Sequence, residues 1–248
     1  MRRAALALIA ALALTGCETT AEKSAKLERA AKQRQASEIA TNGPAKRGLS
    51  ITKQSRSVKV LAAAVLHSPE GTAVVLTLHN NSTKSLSDVP IAITVYDAHG
   101  ASLYSNSEPG LSAALVSVPL LRAHATTVWI DDQISTAATP ASVRAKVGEG
   151  TTAATAIPVP AVVGAHLSEA AAGSGTVEGS VVNHSPIAQR EVVVNALARR
   201  GGTIVAAGRA LLPQVADAGN PTHFQLYLIG DPRGARLAFS ASPTVSGS

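Results

Sequence analysis

The sequence predicts an all-β protein: two tandem β-sandwich domains behind a short apolar leader and a basic, partly helical tether. Three observations carry this expectation. From Val58 onward the chain is made of short β-branched runs with period-two alternation, separated by Asn, Gly and Ser turns. The order of these runs recurs: Asn80-Asn81-Ser82 returns as Asn183-His184-Ser185, about 103 residues later. The 248 residues leave room for two units of that size.

The leader comes first. Arg2 and Arg3 precede an Ala/Leu/Ile run over 4–14, the length of a signal-peptide core and too short to span a bilayer. Leu14-Thr15-Gly16-Cys17 follows directly. These residues resemble the lipobox of bacterial lipoproteins, in which the cysteine is diacylated and the peptide is cut before it. The resemblance implies that residues 1–16 are removed and that Cys17 becomes the lipidated N-terminus. Cys17 is the single cysteine of the chain, which excludes an internal disulfide framework and a multi-cysteine zinc site. The twin arginines lack the rest of a Tat motif.

Residues 17–49 read as the lipidated N-terminus and a basic tether. The segment 22–39 is rich in Ala, Lys, Glu, Gln and Arg, which favour helix. Its only larger apolar residues are Leu27 and Ile39, so the expectation is a marginal, solvated helix with no stripe to bury. Thr41-Asn42-Gly43-Pro44 stops it. The charge is uneven. Residues 18–60 hold ten Lys/Arg against four Glu, while residues 61–248 hold ten Lys/Arg against twelve Asp/Glu. The sequence pI of about 9.8 therefore belongs to the leader and tether, and the folded part is near neutral. The basic residues lack interleaved aromatics, which argues against nucleic acid as a partner. Lys23, Lys26, Arg29, Lys32 and Arg34 are the expected contacts to anionic lipid or cell-wall polymer.

The first sandwich is expected over 50–150. Strands are read at 58–60, 72–79, 91–96, 101–104, 126–130 and 143–147, with a hairpin turn at Asp97-Ala98-His99-Gly100. Residues 151–160 read as a linker. The second sandwich, 161–248, repeats the order with strands at 177–182, 192–197, 203–206, 223–228 and 236–240, and a turn at Arg200-Gly201-Gly202. A period of about 100 residues is that of an immunoglobulin-like domain. Ile93-Thr94-Val95-Tyr96-Asp97, followed by Gly100, resembles the signature strand of the FxLYD domain, with Ile93 in place of Phe and Val95 in place of Leu. Asn80-Asn81-Ser82 and Asp88-Val89 also fit that family. The resemblance implies an extracytoplasmic β-sandwich without catalytic residues. The second repeat has Ala196-Leu197-Ala198-Arg199 at this place.

Candidate chemistry is sparse. The seven histidines show no i, i+4 or i, i+2 pair and no H-E-x-x-H, so no metal site is expected. No G-x-S-x-G elbow is present. Asp131-Asp132 reads as a strand-end turn, since adjacent strand residues face opposite ways. Gly173-Ser174-Gly175 precedes a strand and lacks GK[ST], so it reads as a hairpin. Trp129 is expected in the core. The sequence therefore points to a non-enzymatic, cofactor-free lipoprotein on the extracytoplasmic side of a bacterial envelope membrane. It would act as a binding or structural module with an unidentified protein partner. The alternative is an accessory subunit of an envelope secretion or assembly complex.

Overall fold

The structure, a computed structural model, describes residues 19–36, 48–153, 158–216 and 219–243, with side chains 31–36 excepted. The expected leader, Cys17, the helix stop at 41–44 and the middle of the expected linker lie outside these residues. The fold is all-β. A helix, α1 (Thr20–Ala36), precedes β1 (Val58–Ser68), β2 (Gly71–Asn80), β3 (Leu86–Tyr96) and β4 (Ser102–Ser105). A single turn, α2 (Ala113–Val116), leads into β5 (Ser117–Leu121), β6 (Thr126–Ile134), β7 (Ser142–Val147) and β8 (Thr151–Thr152). The second half holds β9 (Ala161–Ala171), β10 (Ser174–Val182), β11 (Gln189–Arg200), β12 (Thr203–Val215), β13 (Thr222–Gly230) and β14 (Arg236–Ser242). Among the described residues no helix is long and apolar enough to cross a membrane.

In the first half, the antiparallel sheet β1-β2-β6 faces a sheet centred on β3. The start of β3 pairs with β5 and β8, and its end with β4 and β7. Between the two sheets lie Leu76, Leu78, Ile91, Ile93, Val95 and Trp129, as period-two alternation requires. The Trp129 indole N–H is bonded to the Ala114 carbonyl at 2.9 Å, so the tryptophan is a satisfied core residue. The second half is one six-stranded antiparallel sheet, β14-β11-β12-β13-β10-β9, wrapped around Val177, Val194, Leu226 and Leu228.

The repeat extends to detail. Asn80 and Asn183 are both fully buried. Each Nδ2 donates to the carbonyl four residues on, Lys84 at 2.8 Å and Ile187 at 2.7 Å. Each Oδ1 accepts the amide of the serine two residues on, Ser82 and Ser185. The same offset relates Asp88 and Glu191, two of the few non-glycine residues with positive φ, at 50° and 47°. Each lies early in the strand that follows its turn.

The two halves press directly on each other. Val75, Ile130, Leu197 and Ala207 form a further core between β2 and β6 on one side and β11 and β12 on the other. This contact explains why β2 is buried on both faces and reads as a near-continuous apolar run instead of alternating.

Helix α1 departs from expectation. It is not solvated all round: Ala21, Ser24 and Glu28 are buried, against β6, β12 and β13. The helix approaches on small residues, and its buried polar groups find partners in the body. A search for bulky apolar positions overlooks such a face. Gly71 makes the approach feasible, since a Cβ there would stand 2.6 Å from the Ala21 Cβ.

Candidate functional site

The described feature with most chemical potential is a buried polar cluster where α1 meets both halves. Its residues come from three elements: Ser24 and Glu28 from α1, Asp131, Asp132 and Gln133 from β6, and Arg209 from β12. The α1 positions are four apart and so share one helix face. Asp131 and Asp132 lie within β6 and are fully buried, so they are not a strand-end turn. Their opposed orientation holds, and it sends them into different surroundings.

Asp132 faces the junction. Its Oδ2 accepts from Ser24 Oγ and from the Arg209 amide, both at 2.9 Å. Its Oδ1 lies 3.5 Å from Arg209 Nε. Arg209 Nη2 and Gln133 Nε2 both donate to Glu28 Oε2. One guanidinium thus bridges two carboxylates, one on the helix and one on the strand. Burial pushes the Asp132 carboxyl up, and the Arg209 charge opposes this. Asp131 faces the first core. It accepts from the Tyr104 hydroxyl at 2.9 Å and from the Gln133 amide at 3.1 Å. Burial raises it to about 6 against these hydrogen bonds. The same burial, with the Asp131 charge, pushes the Tyr104 phenol up.

A second polar arrangement holds the start of α1. Thr19 and Glu22 form a reciprocal capping box: the Thr19 amide donates to Glu22 Oε2 at 2.8 Å, and the Glu22 amide donates to Thr19 Oγ1 at 3.3 Å. The Thr20 amide donates to Glu70 Oε2 at 3.0 Å, and the Ala21 amide to the Glu70 carbonyl at 2.9 Å. Glu70 belongs to the β1–β2 turn. A carboxylate at the positive end of a helix is favourable, so this turn fixes where the helix begins.

The expected tether contacts fall along α1. Lys23 stands over the Tyr227 ring, 5.6 Å from its centroid. Lys26 and Arg29 are exposed. The side chains of Lys32 and Arg34 lie outside the described residues, as does Cys17, the expected lipid attachment residue. The histidines are dispersed: His67, His79 and His223 each bond a neighbouring hydroxyl at 2.9 Å. Among the described residues no group of three or more His, Cys, Asp or Glu side chains could hold a metal ion. In the segment 93–97, Ile93 and Val95 point into the first core. Asp97 closes the turn, its Oδ1 accepting the amides of His99 at 2.9 Å and Ala101 at 2.8 Å.

Sequence reading missed the Glu28–Arg209–Asp132 cluster. The available signal was a charged residue inside a strand-length run, Asp132 between Ile130 and Ile134 and Arg209 within 203–215. No family model matches the chain, and no curated protein matches it.

Proposed function

We propose that the chain is a lipid-anchored protein of the bacterial cell envelope. Its β body would serve as a non-catalytic binding or structural module on the extracytoplasmic side, with the first half an FxLYD-like sandwich. The observation that carries this reading is the position of the helix cap. Only Glu18 separates the lipobox cysteine, Cys17, from Thr19, the cap residue of α1. Two residues of chain span at most about 7 Å. A lipid on Cys17 would therefore hold the body close to the bilayer, with no long tether between them. The carboxyls that burial pushes up most clearly in the cluster, Asp131 and Asp132, are bonded within the fold, which suits a structural role.

The alternative, an accessory subunit of a secretion or assembly complex, draws on edge strand β1, where Val60 and Leu61 are exposed. Stoichiometric partners captured by crosslinking in cells would favour it. The anchor is tested by Cys17→Ala. Wild type should enter the detergent phase, and the variant should remain aqueous or uncleaved. A variant that still partitions with detergent contradicts the anchor.

A further inference from the structure

The second half carries an arginine cluster at the same end of the molecule as the start of α1. The antiparallel order β14-β11-β12-β13-β10-β9 places the β9–β10 turn, the β11–β12 turn and the β13–β14 loop along one sheet edge. β11 ends with Arg199 and Arg200, the β13–β14 loop holds Arg233, and β14 opens with Arg236. Contacts connect this edge to the helix start. The Gly230 amide donates to the Gly173 carbonyl at 3.1 Å. Gly173 packs on Ser68 beside the β1–β2 turn. Glu70 of that turn holds Thr20 and Ala21.

Within the cluster, Arg233 is spoken for. It makes a two-point contact with Asp231, both bonds at 2.8 Å. Among the described residues, Arg199, Arg200 and Arg236 form no ion pair, although the Arg200 charge helps hold the Asp231 carboxyl low. Arg200 is held by the Asp231 and Arg233 carbonyls, and Arg199 by the Gly202 carbonyl at 3.1 Å. Arg199 and Arg236 are paired directly across neighbouring strands. Like charges in that position repel. The first half has no such clash: the equivalent pair is Tyr96 and Ser142, with Arg144 stacked over the Tyr96 ring at 5.1 Å. Of the acids at this end, Asp231 pairs with Arg233, while Glu22, Glu70 and Glu169 accept hydrogen bonds from Thr19, Thr20 and Thr176 and keep their charge on the α1 and β9 side, three or more strands from β11.

We infer that Arg199, Arg200 and Arg236 form a docking surface for the anionic phospholipid headgroups of the membrane that carries the anchor. The inference rests on the lipid-anchor reading for its geometry. Cys17 lies within about 7 Å of the Thr19 cap by chain length. Three strand spacings of about 4.8 Å separate β10 from β11 and a fourth leads to β14, so Arg199 and Arg200 lie roughly 14 Å, and Arg236 roughly 19 Å, to the side along the same end. An anchored body standing on this end brings them to the surface, inside the ~8 Å over which surface charge acts. The guanidinium fork suits phosphate oxygens, and a phosphate between Arg199 and Arg236 relieves their repulsion. The membrane contact then lies in the body and not in the basic face of α1.

The test uses the chain from residue 17 onward with Cys17→Ser, so that no lipid is attached and no described residue is lost. It is mixed with phosphatidylcholine vesicles, with and without phosphatidylglycerol, at low and high salt. Each arginine near an anionic surface contributes about fivefold in affinity, so R199Q/R200Q/R236Q should weaken binding to the anionic vesicles on the order of a hundredfold. K23Q/K26Q/R29Q should change it little. Arg236→Gln alone should not lower the thermal midpoint, since it removes a like-charge pair. The proposal is overturned if the arginine variant binds as well as its parent, if neutral vesicles bind equally, or if the helix variant alone abolishes binding. Failure of the anchor reading shows separately, as Cys17→Ala leaving detergent partitioning unchanged in cells.

Discussion

Arg209 neutralises two buried carboxylates at once, and its side chain is 1% exposed. Removing one partner of such an arrangement typically costs about 3–5 kcal/mol, because the remaining charges stay buried and uncompensated. Arg209→Met should therefore lower stability by about that amount in urea unfolding, whereas Lys53→Gln, which breaks the exposed pair with Glu149, should cost under about 1 kcal/mol. Asp131 makes a separate prediction. Its folded value, about 6, lies above its ordinary one, so the folded state holds the proton more tightly. Its contribution to stability is complete below about pH 4 and is lost as pH rises through about 6. Tyr104→Phe removes a hydrogen bond that favours the ionised form, so the Asp131 carboxyl should titrate higher still. Carboxyl-carbon NMR titration of the variant would show a midpoint at or below the wild-type value if this assignment is wrong.

At the scale of elements, α1 depends on the body more than on its own sequence. Its cap and the Glu70 turn hold one end, and Ser24 and Glu28 hold the middle. Thr19→Ala should cost about 1 kcal/mol through the lost cap. Gly71→Ala would place a Cβ against Ala21 at a residue with φ of 140°, so it should loosen the helix from the body. Hydrogen exchange should then quicken across α1 while β11 stays protected, and equal protection in wild type and variant would contradict the docking described. The strands were readable in sequence because β-branched alternation reports directly on a half-buried pleat, as at Ile91, Ile93 and Val95. The docked face of α1 was not, since Ala21, Ser24 and Glu28 carry no bulky apolar signal and their burial depends on charges distant in sequence. Asp132 and Arg209 stand 77 residues apart, and only tertiary pairing gives either a partner.

For the whole molecule, the contact between the halves sets the behaviour. Val75, Ile130, Leu197 and Ala207 close one interface, and the Asn195 side-chain Nδ2 donates across it to the Val128 carbonyl at 3.3 Å. Proteolytic nicking within 154–157 should therefore leave two fragments that elute together in native gel filtration, and independent elution would contradict the interface. Ile130→Asp should part them by placing a charge in that apolar contact. The repeat was legible from Asn80 and Asn183, whose buried amides pin the same turn twice, but the packing of one repeat on the other leaves no periodic trace. The central claim is that this body is joined to a bilayer through Cys17, two residues before the Thr19 cap of α1. Mass spectrometry of the N-terminal tryptic peptide from membrane-purified protein tests this most directly. The account predicts a peptide running from Cys17 to Lys23 and carrying a diacylglyceryl group on the cysteine. A mature N-terminus elsewhere, or a free thiol at Cys17, would contradict it.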